Sequence, residues 1–197
     1  GSEMCIRDRI VLVGALDLDE YRFLTRKEWW YYGVVQGDTI WFEPFDIMIK
    51  RQIAEIGITQ KLAQAALNRR SGGRLPLWLR EAVASYVAGE RSILEAQTAE
   101  FAVEGYEIDI DPATVEADIE AATDRGMTRI AFFAAYRMLE RMLERWTMDD
   151  VLRFASLLGE GRPLDDASAD VFGAPWAEVI DRIRIDRAET GGEAPGT

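Results

Sequence analysis

The sequence predicts an α+β fold that is predominantly helical, with a short β-hairpin or sheet near the N-terminus. Aromatic and β-branched runs flank Gly37, which is typical of a hairpin. After Pro44, apolar residues recur at spacings of three and four, which is typical of amphipathic helices. With 48% hydrophobic residues, a chain of 197 residues can bury one compact core. We therefore expect a single domain over residues 10–187.

The predicted strands lie before Pro44. Residues 10–14 form a short apolar run suited to a strand, and the charged segment 17–28 follows it. Residues 29–35 and 39–42 form the two arms of the hairpin, because both are rich in aromatic and β-branched side chains. Gln36-Gly37-Asp38 is the predicted connection between them.

Two helices around a glycine-rich turn follow the hairpin. The first presents one face made of Ile53, Ile56, Gln60, Ala63, Gln64 and Leu67, so both glutamines are expected to point toward the core. Ser71-Gly72-Gly73 ends this helix, because glycine accepts the backbone conformation of a C-terminal cap. Pro76 suits the first turn of the second helix, which carries Glu81 and runs to about Gly89.

The rest of the chain is predicted to be helical after a polar stretch beyond Glu90. One helix covers residues 113–122, and a second carries an apolar stripe of Ile130, Phe133, Ala134, Met138, Met142 and Trp146. Thr147 and Asp150 form a capping pair for a third helix that ends at Leu158. A helix over residues 174–187 closes the fold, and residues 188–197 are predicted to be a disordered tail.

Charge narrows the range of partners. The chain has 23 basic and 35 acidic residues, a net charge of -12, which disfavours nucleic acid and anionic membrane surfaces. No apolar run approaches the roughly 18 residues of a membrane-spanning helix. The single cysteine, Cys5, lies in residues 1–9, which resemble translated sequencing-adapter DNA and are expected to be a non-native leader. The sequence does not indicate whether the protein occupies an oxidising or a reducing compartment, because one thiol makes no disulfide framework.

The spacing of polar residues on the two central helices resembles that of a zinc peptidase. Gln60, Lys61 and Gln64 stand on the first helix, and Pro76-Leu77-Trp78-Leu79-Arg80-Glu81 begins the second. This arrangement resembles the gluzincin-type, or peptidase MA-like, metallopeptidases. In H-E-x-x-H enzymes of this kind, two histidines four residues apart hold zinc and the Glu beside the first is the general base. The resemblance implies that Glu81 stands where the family has its third ligand.

The resemblance covers roughly residues 30–187. It extends to the helix that contains Ile130 to Tyr136, and to Leu157 to Leu164, which leads into a helix and the turn Phe172-Gly173-Ala174. It implies a zincin-like fold, with the two active-site-type helices followed by a helical C-terminal part. It also favours a bacterial protein located outside the cytoplasm.

The residue types at the motif positions argue against catalysis. The chain contains no histidine, and neutral amides such as Gln60 and Gln64 are poor zinc ligands. Lys61 carries a cation where a carboxylate would take a proton from metal-bound water. We therefore expect a degenerate motif, with no catalytic residue, no metal and no cofactor. Gln60, Lys61, Gln64 and Glu81 are its vestigial positions.

A hydrogen-bond cluster is one hypothesis for these residues. The amides of Gln60 and Gln64 can donate to the carboxylate of Glu81, with Lys61 nearby, and so link the two helices without zinc. The alternative is that these side chains are solvated.

The other patterns in the sequence are weaker than this motif. Asp109 and Asp111 suggest a cation site, although a single pair of aspartates is more typical of a solvated turn. Trp29-Trp30-Tyr31-Tyr32 suggests a stacking platform for carbohydrate or peptide, although aromatic residues on a strand are more often core. No phosphate-binding loop or nucleophile elbow is present, and a serine triad lacks its histidine.

Three classes of function remain open at this point. The first is an inactive zincin-like pseudo-peptidase that binds a protein or an extended peptide along an edge strand. The second is a structural domain of a larger envelope or secreted protein. The third is an enzyme that uses Glu81 with Asp109 or Asp111 as acid and base. We favour the first of these three hypotheses.

Overall fold

The computed structural model describes residues 9–28, 30–103, 111–121 and 124–184. The predicted leader apart from Arg9, together with Trp29, Asp109 and the predicted tail, lies outside these residues. The chain divides into two compact units, one up to Ala66 and one from Leu67 onward. The expected α+β, mostly helical fold is confirmed, with three strands near the N-terminus and ten helices in the described ranges. The expectation of a single domain stays a prediction.

The first unit contains a three-stranded sheet made of β1 (Val11–Gly14), β2 (Gly33–Gln36) and β3 (Thr39–Phe42). The strand order is β1-β3-β2, with β1 parallel and β2 antiparallel to β3. The predicted hairpin is therefore confirmed. Its turn is closed by the pair Gln36 and Thr39, and Gly37 takes the left-handed conformation, φ 60°, that such turns require.

Three helices accompany the sheet in the first unit. Helix α1 (Leu18–Thr25) was not predicted, and it begins where the Asp17 side chain accepts a hydrogen bond from the Glu20 amide at 2.8 Å. Helix α2 (Phe45–Lys50) follows Pro44, and α3 (Ala54–Ser71) follows α2 after a break. Gln52 lies in that break at φ 58°, so the helical region after Pro44 is two helices.

The core of the first unit joins the hairpin to α2 and α3. Its buried side chains are Tyr32, Ile40, Phe42, Met48 and Ala65. Helix α3 approaches closely at Gly57, where a Cβ would lie 2.9 Å from both the Tyr32 ring and the Met48 methyl group. A larger residue at this position would push the helix away from the sheet.

A buried ion pair fixes the end of β3 to the break between α2 and α3. The Glu43 side chain is fully buried and accepts hydrogen bonds from Arg51 Nη1 at 3.0 and 3.1 Å. Burial raises the pKa of Glu43, and the Arg51 guanidinium opposes that rise. Arg51 therefore offsets the cost of burying this carboxylate.

In the second unit, all of the described secondary-structure elements are helices. The end of α3 belongs to it, followed in order by α4 (Leu77–Ala88), α5 (Arg91–Val103), α6 (Pro112–Ala121), α7 (Arg125–Leu143), α8 (Met148–Gly159), α9 (Leu164–Phe172) and α10 (Trp176–Ile183). The predicted glycine stop is confirmed, since the Gly73 amide donates to the Asn68 carbonyl oxygen at 2.9 Å. Helix α4 begins after Pro76 and ends at Gly89, as predicted.

Helix α7 is the centre of the second unit and packs against α4, α5, α6 and α10. Of the predicted stripe, Ile130, Ala134, Met138 and Met142 are buried, whereas Phe133 is half-buried and Trp146 lies beyond the end of the helix. Other faces are buried as well, at Ala131, Ala135 and Leu139. The capping pair is confirmed, since Thr147 and Asp150 exchange hydrogen bonds at the start of α8. Helix α5 replaces part of the predicted polar stretch, and the closing helix is shorter than predicted.

The buried ion pair gives a prediction on stability and its pH dependence. Replacing Arg51 by Met leaves Glu43 buried without its cation, so the pKa of Glu43 rises further. Below about pH 4.5 the carboxyl is protonated in both folded and unfolded chains, and the loss should be small. The loss of unfolding free energy in Arg51→Met should grow to about 1 to 3 kcal/mol as pH rises above the pKa of Glu43 in the folded wild-type protein.

Urea unfolding of wild type and Arg51→Met at pH 4.5 and pH 8 measures this difference. Lys50→Met is the matched control, because the Lys50 side chain is 78% exposed. An equal loss of stability at both pH values would contradict the account.

Candidate functional site

The four motif positions are all buried, although they lie in different units. Gln60, Lys61 and Gln64 are on α3 in the first unit, at 4%, 6% and 5% exposure, and Glu81 is on α4 in the second unit, at 6%. The predicted inward orientation of both glutamines is therefore confirmed. Solvated side chains, the alternative interpretation, do not agree with this burial.

A short hydrogen bond connects the hairpin to Gln60. The Tyr32 hydroxyl donates to Gln60 Oε1 at 2.6 Å, and both side chains are buried. Tyr32 comes directly before β2, so this bond holds the start of the strand against the middle of α3. Tyr32 was predicted only to belong to an aromatic cluster, and this contact with Gln60 was not predicted.

Lys61 extends along the same side of α3. Its ammonium donates to Gln64 Oε1 at 3.2 Å and lies 5.3 Å from the centre of the Tyr32 ring. Its aliphatic stem passes Gly33, where a Cβ would stand 3.0 Å from Lys61 Cγ. The polar face of α3, defined here as Gln60, Lys61 and Gln64, thus lies directly beside β2.

The donor atoms of this polar face do not fit a zinc ion. An amide can ligate a metal only through its oxygen, and the oxygens of Gln60 and Gln64 already accept hydrogen bonds from Tyr32 and Lys61. The Lys61 ammonium would repel a dication. In the part of the chain that the structure describes, no three His, Cys, Asp or Glu residues are grouped as metal ligands.

Glu81 has partners within its own unit. Its Oε1 accepts hydrogen bonds from Arg80 Nη2 at 3.1 Å and Nε at 3.3 Å, and Arg80 Nη1 donates to Asn68 Oδ1 at 3.1 Å. Arg80 therefore links the last turns of α3 to the start of α4. The proposed cluster of Gln60, Glu81 and Gln64 joins residues of two units and stays a prediction.

On the side away from β3, the backbone of β2 pairs with no other strand in the described parts of the chain. The Glu43 amide donates to the Tyr32 carbonyl oxygen at 3.1 Å. Because hydrogen-bonded pairs alternate along an antiparallel ladder, Val34 and Gln36 also direct their N–H and C=O groups toward β3. The N–H and C=O groups of Gly33 and Val35 consequently face away from β3. Gly33 is buried beside Phe42 and Lys61, whereas Val35 is half-buried.

The other predicted sites receive less support. Asp111 accepts from the Ala113 amide at 2.9 Å and pairs with Arg184 at 3.1 Å, so it anchors the start of α6. Tyr32 belongs to the core, whereas Trp30 and Tyr31 are half-buried, so these three do not form an exposed row of rings.

Comparisons with known proteins leave the resemblance untested. No protein-family model, curated protein or solved structure matches the chain. Among the described residues, no helix is both long and apolar enough to cross a membrane.

The contact between Tyr32 and Gln60 can be tested by a double-mutant cycle. Tyr32→Phe removes a buried donor and should cost about 1 to 3 kcal/mol, because the Gln60 oxygen loses its partner. The double variant Tyr32→Phe/Gln60→Met should cost less than the sum of the single changes. Urea unfolding of the four proteins measures the coupling, and strict additivity would show that the two side chains do not interact.

Glu81 can be tested by two substitutions of different size. Glu81→Gln keeps an oxygen for Arg80 and should cost little stability, whereas Glu81→Ala strands buried donors and should cost about 1 to 3 kcal/mol. Denaturant melts compare both variants with wild type. A fully stable Glu81→Ala protein would refute a structural role for this carboxylate.

Proposed function

We propose that this chain is a zincin-like domain without catalytic activity, which binds a partner protein through an extended peptide segment. The peptide adds a strand to the open edge of β2. The observation that carries this proposal is the main chain of Val35, whose N–H and C=O groups face away from β3 in a half-buried part of the strand. Edge strands with unpaired N–H and C=O groups are recognised by extended peptides in this way.

The surroundings of β2 favour it over the other edge of the sheet. The start of β2 is held in place by the Tyr32–Gln60 hydrogen bond and by the contact of Gly33 with the Lys61 stem. A fixed strand loses little conformational entropy when a peptide binds, so more of the hydrogen-bond energy contributes to affinity. Strand β1 is also unpaired on one side within the described residues, but no hydrogen bond described there joins it to the polar face of α3.

The composition of the polar face supports binding without hydrolysis. A peptidase of the zincin kind needs a metal-bound water and a carboxylate base near the scissile bond. Lys61 is a cation at the base position, and the amide oxygens of Gln60 and Gln64 are engaged by Tyr32 and Lys61. These buried side chains would therefore supply neither a metal-bound water nor a base to a peptide bound at β2.

A substitution at Val35 tests the binding mode. Proline removes the outward-facing N–H of Val35 and places a ring on the open edge, while the ladder with β3 keeps its hydrogen bonds. Peptides selected by wild type from an array of extended sequences should bind Val35→Pro at least about fivefold more weakly. Fluorescence anisotropy with labelled peptides measures the affinity.

Val35→Ala is the matched control, because it shortens the side chain and keeps the amide. It should bind nearly as well as wild type, and thermal melts should show that both variants are folded. Selection of no peptide by wild type, or equal binding to Val35→Pro and wild type, would contradict strand addition at β2.

A further inference from the structure

The register of the sheet places the side chains of β2 in rows that cross all three strands. Val35 pairs with Ile40 of β3, and Ile40 pairs in turn with Leu12 of β1. Paired residues point to the same face of a sheet, and Ile40 is fully buried while Val35 packs against the core of the first unit. This row therefore lies on the core face, and Val35 is its half-buried end at the edge of the sheet.

The next row lies on the opposite face, since successive side chains of a strand alternate. Val34 pairs with Trp41, and Trp41 pairs with Val13. All three residues are half-buried, so this row is apolar and remains partly exposed to solvent. Gln36 lies on the same face and is exposed. The edge of β2 is consequently apolar on both faces at Val34 and Val35, and it becomes polar at Gln36.

Val35 determines how a paired segment would be placed. Its N–H and C=O groups face away from β3, and no hydrogen bond to either group occurs within the described parts of the chain. In whichever direction the segment runs, the residue level with Val35 has one neighbour level with Val34 and the other level with Gln36. Both neighbours lie on the face that carries Trp41, whereas the residue level with Val35 lies on the core face.

We infer that the segment bound at β2 carries two successive apolar residues, one level with Val35 and the next level with Val34. This inference rests on the proposed strand addition at β2 and specifies the sequence of the partner. Each apolar side chain would cover a half-buried valine and remove apolar surface from water, one on each face of the sheet. A segment with the alternating pattern of an ordinary amphipathic strand would place a polar side chain beside one of the two valines.

Three synthetic peptides of equal length test the inference. One carries Val-Val between glutamines and serines, the second has the same composition with its two valines separated by one glutamine, and the third has glutamine in place of both valines. The first two differ only in the order of their residues, and the third measures the binding that the main chain alone contributes. Fluorescence anisotropy gives their affinities for wild type, Val34→Thr and Val13→Thr.

Wild type should bind the Val-Val peptide about two- to fivefold more tightly than the peptide with separated valines. This preference should shrink in Val34→Thr and persist in Val13→Thr. Val13→Thr is the matched control, because it replaces the same methyl group by a hydroxyl in the same row, on the strand farthest from the edge of β2. Thermal melts establish that both variants are folded.

The two proposals fail in different ways. Equal binding of the first two peptides, with binding still weakened by Val35→Pro, would overturn the need for two successive apolar residues and leave strand addition intact. A preference that persists in Val34→Thr, or that is lost equally in Val13→Thr, would overturn the placement of an apolar residue beside Val34. Binding of none of the three peptides to wild type would overturn both proposals.

Discussion

The hydrogen bond from the Tyr32 hydroxyl to Gln60 is the contact on which the arrangement of the first unit depends. It brings a polar atom of the hairpin and a polar atom of α3 into a core that is otherwise apolar. Burying either atom alone would be unfavourable, so the pair specifies one position of the strand on the helix. Gly57 and Gly33 allow this close approach, because a side chain at either position would collide with neighbouring atoms. The edge of β2 is held where it is by these contacts.

The same contacts change the chemistry available at the motif positions. In a zinc peptidase these positions hold a metal and a base, and both act on a bound peptide. Here the amide oxygens accept hydrogen bonds from Tyr32 and Lys61, so the polar side chains stabilise the protein itself. The group left for a ligand is the main chain of β2 at Val35, which is half-buried and faces away from β3. Because the polar side chains are engaged within the protein and the main chain of the strand is unpaired, we favour a binding role over a catalytic one.

Local patterns predicted most of the fold, and contacts between distant residues limited the prediction of the site. The hairpin, the glycine stop of α3 and the capping box of α8 depend on neighbouring residues, and all three are confirmed.

Helix α1 was not predicted, because its segment is short and rich in charged residues. Asp17 and Glu20 nevertheless carry a capping signal for it. Helix α5 has little apolar periodicity in its polar sequence. The division at Ala66 and Leu67 falls inside α3, where no linker composition marks it. Burial of Gln60 and Gln64 followed from helical spacing, but their partners did not, because Tyr32 is 28 residues away from Gln60.

Amide hydrogen exchange of β2, followed residue by residue by NMR, tests the central claim most directly. In the free protein, the Val35 amide should exchange much faster than those of Val34 and Gln36, because only Val35 faces the open edge. A saturating extended peptide should slow the exchange of Val35 and leave its neighbours nearly unchanged. A Val35 amide that is as protected as that of Val34 in the free protein, or that is unaffected by bound peptide, would contradict strand addition at this edge.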